Sequence, residues 1–360
     1  MSPSRLGALI RLELTQSLRS VAWYVLLGVF ALILLIVTGL AVAASALTAG
    51  SGGWLFSLQI FLVLLLVLLV SPTLSGNSVN GERDAATLAP MQVTLATTGE
   101  ILLGKFLAAW IAGLAFLVVA LPFLIVATLA GDLAPATIGT SLAILVVEVG
   151  VVAGIGVGLS AVIARPLFSV ASTYLVVAAL TVGTIVAFGL GATTSRVEVT
   201  VTERYYTDEG PPCAPGEDPD EYGCVEDPLS ECGPWQTYTH EAPRTDHVWW
   251  ILAANPFVVL ADATPTTFSP DGYPQDLFGQ ISWTVRSAQI PPMTEVRNDF
   301  CDASAWQNAG PLPSEQIDGT APSWFVGLAV QVLATAGLLA WGWQRTRTPA
   351  RTLPPGTRIA

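Results

Sequence analysis

Few residues in this 360-residue chain have the type and setting that chemistry needs, and Glu148 comes first. It stands in "LAILVVEVGVV", an ionisable side chain well inside an apolar run. A carboxylate near the centre of a membrane helix costs on the order of 3 kcal/mol on insertion scales, so it must face a bundle interior, a partner subunit or a wet cavity. Two readings follow: a substrate-pathway or gating residue, or a carboxyl group protonated or hydrogen-bonded to a neighbouring helix for packing alone. Gly150 and Gly154 fall near the same face and let another helix approach there.

Cys213, Cys224, Cys232 and Cys301 are the only cysteines, and all lie between residues 192 and 322. In an oxidising compartment an even count reads as up to two disulfides, with three pairings open. A metal site is not expected: no CxxC pair is present, and His240 and His247 sit at no recognised ligand spacing. Nor is there a GxxxxGK[ST] phosphate loop, because Gly104-Lys105 lacks both the upstream glycines and a following Ser or Thr. "GIGVG", at Gly154, Gly156 and Gly158, lies inside an apolar run where small residues serve close helix packing. Without a GxSxG elbow, an HExxH helix or a triad context for either histidine, no catalytic residue is assigned. The chain is expected to be no enzyme, to hold no cofactor of its own and to bind no nucleic acid.

The elements that would position these residues belong to a membrane. Hydrophobic residues make up 52% of the chain, charged residues only 12%, and the composition excludes a soluble domain of this size. Crossing roughly 30 Å of hydrocarbon takes about 20 residues. Six runs qualify, at about 21–47, 54–72, 106–130, 136–164, 167–191 and 323–343. The first is too long and too poorly flanked for a cleaved signal peptide and reads as a permanent anchor. The expected fold class is therefore an all-α polytopic membrane protein with six transmembrane helices and a cysteine-containing extracellular insertion between helices 5 and 6.

Orientation follows from Lys and Arg near the ends of the spans. Arg5, Arg11, Arg19, Arg83, Lys105, Arg165, Arg345, Arg347, Arg351 and Arg358 all fall on the termini or the even-numbered loops, which makes that side cytoplasmic. The segment 192–322 then faces outward in a multi-pass cell-membrane protein. It carries 21 acidic residues against 5 Arg, so the formal charge of −12 is a property of this exported segment and says nothing against contact between the inner face and membrane lipids.

Residues 1–20 read as a cytoplasmic amphipathic helix lying in the interface, with Leu6, Ile10, Leu14 and Leu18 on one i, i+4 stripe and Arg5, Arg11, Glu13, Gln16 and Arg19 over the rest. Pro72 and Gly76 allow the chain to leave the membrane after the second span. Residues 21–191 then hold transmembrane helices 1–5 with a cytoplasmic loop at 73–105, residues 323–343 form helix 6 and residues 344–360 a cytoplasmic tail. Within 192–322, "RVEVTVTERYY" alternates Val197, Val199 and Val201 with polar neighbours, the signature of a half-buried strand. "VWWILAANPFVVLADA", 248–263, is apolar but short and interrupted at Asn255-Pro256, so it reads as an interfacial or re-entrant helix broken at the Pro.

One stretch explains what the absent motifs leave open. "GERDAATLAPMQVTLATTGEILLGK", 81–105, is charged, helix-prone, and set between the second and third spans. With Glu82-Arg83, Thr87-Leu88 and then Glu100-Ile101-Leu102-Leu103-Gly104-Lys105, it resembles the permease subunits of type-2 ABC exporters. The resemblance extends to the six-span plan, the N-terminal helix and Asn255-Pro256-Phe257 before the last span, but not to 192–247 or 264–322. Ala86, Ala89-Pro90 and Thr94-Leu95 depart from the residues common in the family at those points.

The resemblance implies that 73–105 contains a coupling helix docked on a separate cytoplasmic ATPase subunit that carries ATP-Mg. Glu82, Arg83 and Asp84 would supply polar contacts there and Leu88 and Met91 apolar ones, with Thr87, Glu100 and Lys105 completing the matched set. The N-terminal helix, through Leu6, Ile10, Arg11 and Leu14, would help to cradle that contact. A second permease copy or a paralogue is implied as partner. The alternative is a membrane-anchored sensor or adaptor whose extracellular segment binds an external partner.

Overall fold

The computed structural model describes residues 2–47, 52–84, 97–131, 133–205, 218, 232–302 and 311–346. Thr87, Leu88, Met91, Cys213 and Cys224 lie outside the described residues. Pro3, whose missing N–H is no loss in a first turn, opens α1 (Pro3–Leu18). Then come α2 (Val21–Leu47), α3 (Gly52–Ser75), the short α4 (Asn80–Asp84), α5 (Thr98–Leu129) and α6 (Pro135–Val162). A fifth long helix is built from α7 (Pro166–Ala178), a π-helical turn (Ala179–Gly183) and α8 (Thr184–Thr194). Counting the fifth as one unit, six helices among the described residues are long and apolar enough to cross a membrane, the last being α13 (Trp324–Thr346).

Their bounds agree with the apolar runs except at two places. α3 continues through Pro72 to Ser75, and Gly76 N–H then bonds to the Pro72 carbonyl at 2.9 Å, so the chain turns only after the proline. The third long helix begins at Thr98 rather than near 106, because Thr97 caps it and draws "GEILLGK" into its first two turns.

α6 is the central helix. It packs against α3, α5, α7 and α13, while α2 and the fifth helix are buried over only a small part of their length. Among apolar neighbours the hydrophobic effect gives no preference between helix and lipid, so close packing must hold such a bundle together. Gly156 and Gly158 make that approach possible. A methyl group on Gly156 would lie 1.9 Å from Ser75 Oγ, and one on Gly158 would lie 2.8 Å from Leu338 Cβ. "GIGVG" is a packing surface for α3 on one side and α13 on the other.

Between the fifth and last long helices the chain is not all helical. Three strands, β1 (Arg196–Arg204), β2 (Gln236–Pro243) and β3 (Glu295–Asp299), form a sheet in the order β2-β1-β3, antiparallel on one side of β1 and parallel on the other. The all-α expectation is corrected to this extent. Val199 and Val201 are buried and Val197 is half-buried, so β1 has the period-2 face its sequence shows. α9 (Trp250–Ala253), α10 (Pro256–Ala263), α11 (Leu277–Ser287) and α12 (Pro313–Asp318) complete the segment. It seats on the end of the bundle away from α1, where Leu277 N–H donates to Ser57 Oγ at 3.0 Å and Thr137 Oγ1 donates to the Pro265 carbonyl at 2.9 Å.

The sheet is cross-linked near its ends. Cys232 and Cys301 form a disulfide, and Tyr205 stacks on Phe300 at 4.7 Å. Trp235 receives two guanidinium groups, Arg204 at 4.7 Å and Arg297 at 4.1 Å, and Arg204 also forms a two-point ion pair with Asp299. The Arg204 hydrogen bonds hold the Asp299 carboxyl below its ordinary range. A carboxyl group depressed in the folded state adds stability above its unfolded value, about 3.9, and loses it as the pH falls. Acidification below about pH 4 should therefore lower the melting temperature of wild type more than that of Asp299→Asn. Equal acid sensitivity in thermal scans of the two proteins would show that this pair contributes nothing.

Candidate functional site

The stretch with the family-like residues is organised around Lys105. Thr97 and Glu100 form a capping box at the start of α5: Thr97 Oγ1 accepts from Glu100 N–H at 3.3 Å, and Glu100 Oε2 accepts from Thr97 N–H at 2.8 Å. The other carboxylate oxygen of Glu100 accepts from Ser2 N–H at 2.7 Å. Glu100 is therefore buried and orders two helix starts.

Five residues further on, Lys105 is almost wholly buried, and its Nζ meets Glu13 Oε1 of α1 at 2.5 Å and Glu82 Oε1 of α4 at 2.7 Å. One cation thus joins three segments that are far apart in sequence. α4 is held from behind as well, since Ser160 Oγ of α6 accepts from Val79 N–H at 3.0 Å and Asn80 N–H at 3.2 Å. Arg83 and Asp84 end that short helix.

α1 docks along α5 rather than lying apart from the bundle. A methyl group on Gly104 would lie 3.1 Å from Leu9 Cβ, with Leu6 the next nearest neighbour, so the missing side chain there is what admits the helix. The half-buried face is Leu6, Leu9, Ile10, Glu13, Leu14 and Ser17, while Arg11 is exposed. This corrects the stripe expected from Leu6, Ile10, Leu14 and Leu18. Leu18 is exposed, and Glu13, expected on the polar side, faces inward because a buried Lys105 requires a counter-charge. Glu13 is the residue of this junction that sequence reasoning missed. The available signal was its position three and seven residues after Ile10 and Leu6, on the same helical face.

The second group of polar residues surrounds the broken helix. Asn255 caps α10 by accepting from Phe257 N–H at 2.9 Å, and its amide donates to the Thr181 carbonyl at 2.7 Å and to Thr184 Oγ1 at 2.9 Å. Thr181 lies in the π-helical turn, and its carbonyl also accepts from Thr184 Oγ1 at 3.1 Å. On its other side the corner meets α13. Gln331 Nε2 donates to the Ala254 carbonyl at 3.1 Å, and Gly327 comes so close to Ala253 that a methyl group would lie 1.7 Å from its carbonyl oxygen.

Asp262 at the end of α10 is another residue without a sequence signal. Its carboxylate accepts from Arg286 Nε at 2.6 Å, Ser282 Oγ at 2.7 Å, Ser323 Oγ at 2.8 Å and the Ser323 and Trp324 N–H groups at the start of α13. Glu148 is fully buried on α6 and neither of its oxygens has a hydrogen-bond partner, and Oε1 of Gln331, likewise buried on α13, has none either. Beside it an apolar groove of about 230 Å³ runs between α5, α6 and α13, with Phe106, Trp110, Val151 and Leu339 among its walls. Cys232 and Cys301 are joined, and no cluster of three or more potential metal ligands occurs among the described residues.

Removing Lys105 alone strands two partly buried carboxylates, a change that costs about 3–5 kcal/mol in fully buried settings. Lys105→Met should therefore lower thermal stability in detergent and open α1 to trypsin at Arg11. The triple variant Glu13→Gln, Glu82→Gln, Lys105→Met should recover most of the loss. A Lys105→Met protein as stable and as protected as wild type would mean that the junction does not hold α1. No family model matches the chain, and no curated protein matches it at a significant level.

Proposed function

We propose that the chain is the membrane-spanning permease subunit of an ABC exporter of the type-2 class, working with a second copy or a paralogue and driven by a separate cytoplasmic ATPase subunit that binds ATP-Mg. The observation that carries this reading is the junction of Lys105 with Glu13 and Glu82. A subunit without a phosphate loop must receive work through a surface, and here the short helix α4 sets Glu82 against Lys105 of α5, which also meets Glu13 of α1.

Force applied to α4 reaches α5 through the Glu82–Lys105 contact and reaches α6 through Ser160. Because α6 packs against α13 along its small residues, displacement there would pass to the helices around Glu148. The resemblance assigns the docking contacts to Glu82, Arg83 and Asp84 of α4 and to Thr87, Leu88 and Met91, which lie outside the described residues. Glu100 and Lys105 act behind these contacts as the residues that keep them in place. In this reading both termini are cytoplasmic, 192–322 is extracellular, and Glu148 lies on or beside the translocation path.

The double change Glu82→Ala, Arg83→Ala tests the reading in reconstituted membranes with the ATPase that co-purifies. Insertion should be intact, and transport-coupled ATP hydrolysis should fall at least about tenfold, equivalent to about 1.4 kcal/mol of coupling. Undiminished coupled hydrolysis would remove the docking role from this helix. Purification that brings down an external protein on 192–322 and no ATPase would replace the permease with a sensor or adaptor.

A further inference from the structure

The apolar centre of the bundle contains three hydrogen-bond acceptor atoms with no donor: both carboxylate oxygens of Glu148 and Oε1 of Gln331. Neither side chain is accessible to solvent, Glu148 at 0% and Gln331 at 1% exposure. Thr335, one turn after Gln331, meets the Val151 carbonyl and packs on Gly154 of α6, which sets Gln331 level with Glu148; the amide of Gln331 is oriented by its bond from Nε2 to the Ala254 carbonyl, so its oxygen is the atom left without a partner. Each buried acceptor without a donor costs about 1–3 kcal/mol, and more if it is charged.

Among the described residues, the helices packed against α6 bring no cation to meet this need. Lys105 of α5 is bound by Glu13 and Glu82, and Glu100 by the Thr97 and Ser2 N–H groups. Asp262 of α10 faces Arg286, and Tyr174 of α7 donates to the Leu69 carbonyl. Arg345 of α13 is 14 residues from Gln331, about 21 Å along a helix axis. α3 contains no charged residue.

We propose that Glu148 and Gln331 form a binding site for one proton, held as the O–H of the Glu148 carboxyl group and donated to Gln331 Oε1, and that its occupancy controls the hold of α13 on the broken helix corner at Ala254. With the proton in place, a single hydrogen bond joins the two helices and Nε2 stays on Ala254. When the proton leaves, the carboxylate and the amide oxygen repel each other. Rotation of the amide then turns Nε2 toward the carboxylate, and the Ala254 carbonyl loses its donor. The corner is left with Asn255 and its bonds to the π-helical turn.

The inference rests on side-chain positions and is independent of the permease reading. Infrared difference spectra of the full chain in lipid nanodiscs, wild type minus Glu148→Gln, provide the test. The expected result at neutral pH is a carbonyl band of an un-ionised carboxylic acid that shifts down in deuterated water and is lost in the variant. Gln331→Leu should keep this band and move it to higher frequency, since the carboxyl group loses its acceptor, and this comparison stands if Glu148→Gln folds poorly. A difference confined to carboxylate bands would overturn the proposal by showing that Glu148 is ionised. For the coupled motion, amide protection factors at 250–263, which take out the base-catalysed rise of intrinsic exchange with pH, should fall in wild type as high pH removes the acid band and stay unchanged in Glu148→Gln. The same fall in both proteins would overturn the link to the corner.

Discussion

A charged group taken out of water between apolar helices must carry its counter-charge with it, and Lys105 meets that requirement with two carboxylates from opposite directions in sequence. Lipid offers neither hydrogen bonds nor ions to a stranded ammonium group. α1 and α4 are consequently not appendages of the long helices but parts of the same buried junction. The cost of desolvation means that this junction contributes little net stability; its value is that it specifies which segments meet.

The same constraint shapes the opposite end of the bundle. Asp262 collects donors from α11 and from the first residues of α13, and Asp276 accepts from Gly279 N–H and Thr266 Oγ1. Asp262 anchors the segment between the fifth and last long helices to the start of α13, and Asp276 ties that segment to itself. Between the two ends, Asn255 donates to a carbonyl within a π-helical turn, so an irregularity in one helix meets a break in another. Such irregular backbone is tolerated at membrane depth only where protein surrounds it.

Set beside one another, these contacts trace a connected route across the molecule. Glu82 and Lys105 lead to α5, Ser160 leads from α4 to α6, and α6 leads through its glycines to α13, which holds the corner at Ala254. Proximity alone establishes no coupling. What distinguishes this route is that each link is a polar contact or a close helix approach with a specific replacement that breaks it.

The long helices were legible from sequence alone, because about 20 apolar residues in succession have one stable solution in hydrocarbon. The helix break at Asn255-Pro256, the strand at 196–204 and the packing role of "GIGVG" were legible for equally local reasons: a ring without an N–H, a period of two, and small side chains inside a span. What required tertiary structure was every pairing across sequence. Glu13 reads as one more surface charge until Lys105 is placed beside it 92 residues away, and β2 and β3 are polar segments that become strands only against β1. Asp262 likewise carries no local signal, since its donors come from two other helices. Periodicity and length are properties of a segment, whereas a buried charge is defined by its partner, and only the folded chain brings the partner there.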